Sequence, residues 1–195
     1  MTAHLHPSFI LAALGAISGV LGTTLLGFGY GDAPHPGIYM VMTGVWFGLV
    51  IGFAVWRWGN RSWAAVATAA IATWIGWEAA VNLALQLDRP WLDAAPNIAV
   101  LKPYLSGLAA GAVGAFITWA GAASFPPKLR RGSAAAMITL TGALFGLLLP
   151  LTNNYDNGAV LLLPWQAAVA AMIGFHMAPA REPSQNGSGA LAIES

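Results

Sequence analysis

Residues 73–86 read TWIGWEAAVNLALQ, an apolar run with one carboxylate, Glu78, inside a Trp-Glu-Ala-Ala-Val core at Trp77–Val81. Two properties of this stretch set the reading of the whole chain. It is apolar enough to be the heart of a membrane span, and its core returns near the other end of the sequence as Trp-Gln-Ala-Ala-Val, Trp165–Val169.

The rest of the chain has the same character. Of its 195 residues 57% are hydrophobic and only 8% charged, where a soluble domain carries about 25% charged residues. Mean hydropathy is +0.67. That leaves too few polar side chains to cover a water-facing surface, so the class is an integral membrane protein. A net charge of +1 gives no electrostatic reason for a nucleic-acid partner. The absence of cysteine removes disulfides, Cys-ligated zinc and thiol chemistry. The first apolar run lacks a basic leader and a small-residue cleavage site, and is read as a retained helix.

A bilayer core of about 30 Å calls for about 20 apolar residues per helix. Runs at 8–30, 36–57, 62–87, 102–124, 133–152 and 158–178 meet or approach that length, separated by Gly, Pro, Asn and charged breakers. The expected fold is all-α with six transmembrane helices in one domain, 1–179. Residues 180–195 form a polar tail of disordered composition. Arg57, Arg61, Lys128, Arg130, Arg131 and Arg181 fall on one side of this topology, and only Arg89 and Lys102 on the other. The positive-inside rule then puts both termini in the cytoplasm. Trp56, Trp58 and Trp63 would anchor the inner interface and Trp91 the outer one. The expected location is a cell membrane, multi-pass, and the Ala- and Gly-rich spans suit a bacterial inner membrane.

The two halves resemble each other. Thr43–Leu49 reads TGVWFGL and Thr141–Leu147 reads TGALFGL, so Thr, Gly, Phe, Gly and Leu coincide. Trp77–Val81 and Trp165–Val169 differ only in Glu78 against Gln166. Pro7 precedes Gly15-Ala16 as Pro103 precedes Gly111-Ala112. The three pairs fall in order, and the spacing between copies shortens at the last pair. Three spans per copy is an odd number, so the second copy would insert upside down, as a 3+3 inverted repeat: one copy about 7–87, the other about 103–178. In such folds a solute path usually lies at the repeat interface near mid-membrane.

Lipid tails are as apolar as leucine, so spans must associate by close fit, and small residues four apart allow that. Gly15 and Gly19 offer such a ridge on the first span, Gly44, Gly48 and Gly52 on the second, Gly107 and Gly111 on the fourth, and Gly142 and Gly146 on the fifth. The matched glycines of spans two and five are expected to make equivalent contacts.

Trp74, Glu78, Asn82 and Gln86 recur every four residues and therefore share one helix face. An ionised carboxylate at mid-membrane costs at least about 2.5–3.5 kcal/mol, which makes such residues functional by default. Glu78 would be protonated, face water or hold a cation, and Trp74, Trp77 and Trp165 would supply an aromatic wall suited to a cation. The chemistry resembles that of small multidrug exporters, which pair a membrane carboxylate with aromatics, although no sequence motif of that family is present. Asn153, Asn154, Asp156 and Lys102 would form the outer mouth of a funnel above Gln166, shaped by Pro150 ending the fifth span and Pro164 interrupting the sixth.

No pair of the four histidines falls at mid-membrane on facing spans, as a b-type haem would need. There is no nucleotide loop, metalloprotease motif or convergent catalytic triad. No cofactor or metal site is therefore expected, and a single polar face argues against catalysis without excluding it. Two readings remain open. One is a small channel or secondary transporter for a small solute, proton or cation, with Glu78 as gating or coupling group. The other is a non-transporting membrane subunit or scaffold that holds a lipid, quinone or pigment, as a homo-oligomer or within a larger complex.

Overall fold

The computed structural model describes residues 5–24, 42–87, 96–155 and 157–178, without the side chains of 96–99 and 153–155. Among the described residues seven α-helices follow one another: α1 (Pro7–Thr24), α2 (Met42–Trp58), α3 (Trp63–Leu87), α4 (Pro96–Ala123), α5 (Gly132–Gly146), α6 (Leu149–Tyr155) and α7 (Ala159–Met177). A 3-10 turn at Pro127–Arg130 joins α4 to α5. Pro7–Thr24, Trp63–Leu87, Val100–Ala123, Gly132–Thr152 and Ala159–Met177 are each long and apolar enough to cross a membrane, and Met42–Trp58 is a shorter apolar helix. The chain is thus a multi-pass membrane protein by the length and composition of its helices. The tail from 180 and Trp91 lie outside the described residues.

Many large apolar side chains point outward, while small residues line much of the interior beside a few large ones such as Leu11, Phe47 and Ile51. Phe9, Leu49, Ile71, Val100, Leu140 and Phe175 are all more than half exposed, while Ala54, Ala65, Ala69, Ala115, Ala134 and Ala170 are fully buried. An apolar surface this extensive is tolerable only against lipid, and the alanines and glycines of the helix seams let backbones approach closely.

The helices form a ring in chain order, closed by α7 against α1, and the α1–α7 and α3–α4 seams are the most extensive. Glycines set how tight each seam is. A Cβ on Gly15 would strike the Gln166 carbonyl of α7, and one on Gly48 the Ala70 carbonyl of α3. In α4, Gly107 and Gly111 lie against Gly146 and Gly142 of α5, backbone on backbone. The matched glycines Gly48 and Gly146 therefore do not make equivalent contacts: Gly48 turns to α3, whereas Gly146 turns to α4. The reason is local. Gly107 and Gly111 leave α4 bare enough to accept the α5 backbone, while Gly15, the match of Gly111 in α1, is used against α7.

Three prolines behave differently from the sequence expectation. The fourth span starts at Pro96, so Pro103 lies inside α4 instead of preceding it. Pro164 lies inside α7, which runs through it. Pro150 does not end the fifth span; helix resumes as α6 after a tightened turn, in which Leu147 and Leu148 donate to carbonyls three residues back. Pro150 has no N–H to offer the Gly146 carbonyl, so the i to i−4 ladder breaks there.

Candidate functional site

α3 presents a buried line of small residues, Ala65, Ala69, Thr73, Gly76 and Ala80, along which α4 packs. Thr73 satisfies its own hydroxyl by donating to the Ala69 carbonyl (2.7 Å). Next to this line, Trp74 and Trp77 both border Gly44 of α2, whose missing side chain makes room for the two indoles.

Trp77 and Trp165 then meet across a cavity of about 80 Å³, lined also by Ala80, Ala84, Gly107 and Leu149 among other apolar residues and glycines. Trp165 is 6% exposed. Its indole N–H donates to the Gly142 carbonyl (2.9 Å), and its ring meets Phe47 edge to face at 5.7 Å. With its polar edge satisfied on α5, Trp165 offers only carbon to the cavity. The cavity lining offers a water almost none of the two to four polar partners it would need.

No family model matches this chain, and no curated protein or solved structure resembles it significantly.

The acid and its matched amide lie elsewhere. Glu78 is half-buried, one position round the helix from Trp77, and is not among the cavity's lining residues. Asn82 donates its Nδ2 to the Glu78 backbone carbonyl (2.9 Å), so that part of its amide is used within the helix. Trp77, Glu78, Asn82 and Lys102 each take part in a further polar or ring interaction. Gln86 is exposed. Gln166 turns away from the cavity toward α1 and is fully buried. Ser18 donates to its Oε1 (2.5 Å) and is within hydrogen-bond distance of the Gly15 carbonyl (2.8 Å). The Gln166 Nε2 has no partner among the described residues.

The structure therefore brings Trp77 and Trp165 together, keeps Trp74 nearby on the α2 side, and parts Glu78 from Gln166. Lys102 sits inside α4 and is 7% exposed, buried instead of standing at a mouth open to water. Asn153 and Asn154 fall in α6, with side chains outside the described residues, and Asp156 lies outside them altogether.

Sequence reasoning missed two contributors. Ser18, the partner of Gln166, lies within the stripe Gly15, Gly19 and Gly22, and that stripe was the available signal that α1 presents this side to a neighbour. Leu149 enters the cavity wall only because the chain turns at Leu147–Leu148, and no periodicity marks that turn.

Proposed function

We propose that this chain is a non-transporting, multi-pass membrane subunit that holds the hydrocarbon part of a lipid-like partner between Trp77 and Trp165. The observation that carries this reading is the cavity itself: apolar throughout, bordered by both matched tryptophans, and without Glu78 in its lining. Its volume, about 80 Å³, is roughly half of the about 150 Å³ that accommodates benzene in an engineered protein cavity. A narrow acyl or isoprenoid tail suits it better than the ring of a quinone or pigment. Aromatic walls give such a tail broad, rigid contact.

A 3+3 inverted repeat is part of the proposal. Exchanging the halves carries the α3–α4 seam onto the α7–α1 seam, the two most extensive in the ring. It also carries the Trp77–Gly44 contact onto the Trp165–Gly142 hydrogen bond. The unequal use of the remaining glycines counts against strict equivalence. By the basic-residue bias the termini face the cytoplasm, and a bacterial inner membrane is the proposed location.

The transport reading stands second, favoured by one observation: a half-buried carboxylate midway along a membrane-crossing helix. In that case Glu78 gates or couples the movement of a proton or cation.

The test is lipid analysis of the purified protein by native mass spectrometry, with Ala110→Phe to fill the cavity and circular dichroism to check its helicity. We expect one tightly held lipid-like molecule on the native protein and none on the helical variant. Equal retention by both sinks the proposal. Liposome flux that is lost in Glu78→Gln would install the transport reading in its place.

A further inference from the structure

The basic end of the ring carries an observation that the cavity does not explain. Arg57 lies in the last turn of α2 and Arg61 in the link to α3, with Lys128, Arg130 and Arg131 in the link between α4 and α5; all five are exposed. The two links touch, since a Cβ on Gly59 would stand 3.3 Å from the Pro126 ring. The fold thus joins two basic segments far apart in sequence into one patch.

Part of this charge serves the fold. Arg130 donates to the carbonyls of Ala123 (3.2 Å) and Ser124 (2.7 Å), closing the end of α4. Lys128 donates to the Ala178 carbonyl (3.3 Å), just past the end of α7. Arg57 lies over the Trp58 ring at 5.5 Å. Arg61 and Arg131 extend from the same surface. Glu78, the sole carboxylate among the described residues, lies fifteen residues beyond the start of α3, roughly 22 Å away along the helix axis.

Aromatic residues frame the patch. Trp63 is 73% exposed and stacks with Trp56 at 4.5 Å. Exposed tryptophans beside basic side chains fit the headgroup layer of a bilayer, where indoles are half apolar and half wet.

We infer that this end of the molecule is an interaction surface for anionic phospholipid headgroups, retained in preference to zwitterionic ones. The inference does not depend on the occupant of the cavity or on which leaflet the basic end faces. Each arginine near such a surface contributes about a fivefold gain in affinity.

The test titrates the full chain in mild detergent with phosphatidylglycerol, phosphatidylcholine or inorganic phosphate, and reads bound lipid by native mass spectrometry. Phosphatidylglycerol should bind at least tenfold tighter than phosphatidylcholine. High salt should weaken only the former. Arg61→Gln and Arg131→Gln should each lose about fivefold, and the double variant about 25-fold. The Arg61→Lys and Arg131→Lys pair should keep the preference, which separates charge from fold. Equal binding of the two lipids, salt-independent binding, or inorganic phosphate bound as tightly as phosphatidylglycerol would overturn the inference.

Discussion

Trp77-Glu78 and Trp165-Gln166 occupy matching places in two similar stretches, yet the structure treats their second members differently. Glu78 stays half-buried, whereas Gln166 is sealed against α1 with Ser18 on its carbonyl oxygen. The difference of one terminal group accounts for this. A neutral amide can be buried if part of it is hydrogen-bonded, whereas an isolated carboxylate in the same place would bear a far larger desolvation cost. The tryptophans, identical in residue type, converge on one cavity. Likeness of sequence thus predicts a shared apolar space, and the single chemical difference predicts where the halves diverge.

The largest expected effect comes from the glycines that bring the second half so close. Trp165 reaches the Gly142 carbonyl while α5 rests directly on Gly111. Gly111→Leu should cost more than about 3 kcal/mol through overpacking, read as loss of monodisperse protein on size-exclusion chromatography. Gly132→Leu is the control, since nothing lies within 4 Å of a Cβ there.

Exchanging the matched residues tests the comparison directly. Gln166→Glu should destabilise by about 2.5–3.5 kcal/mol, the cost of an acid at mid-span, while Glu78→Gln should be neutral or stabilising. Thermal unfolding in detergent reads both, and equal losses would break the comparison.

Smaller effects sharpen it. Ser18→Ala removes the donor to Gln166 and should cost about 1 kcal/mol by the same measurement, within the range found for hydrogen bonds between membrane helices. Trp165→Phe keeps the ring but removes the donor to Gly142, and should cost about 0.6 kcal/mol.

Membrane class and the positions of the third and sixth spans were legible in the sequence because both follow from bulk hydrophobicity. The third span was expected at 62–87 and found at Trp63–Leu87, and the sixth at 158–178 and found at Ala159–Met177. The prolines misled because a proline in a membrane helix can be accommodated within the helix, as Pro103 and Pro164 are. The candidate site was legible only in part. The spacing of Trp74, Glu78, Asn82 and Gln86 puts them on one face, but does not say what that face meets. Trp77 lies one position away from Glu78, about 100° round the helix, and that rotation separates the cavity wall from the carboxylate. The meeting of Trp77 with Trp165 required the ring order of the helices, and no single span carries that information.

The claim on which this account rests is that the space between Trp77 and Trp165 is dry. The chain has no cysteine, so Ala84→Cys gives a single site on the cavity wall for a nitroxide label. Electron paramagnetic resonance in proteoliposomes then compares collisions with oxygen, which dissolves in hydrocarbon, against a water-soluble nickel chelate. The account predicts strong relaxation by oxygen and none by nickel; nickel access from either side of the membrane would mean a water-filled path and contradict it.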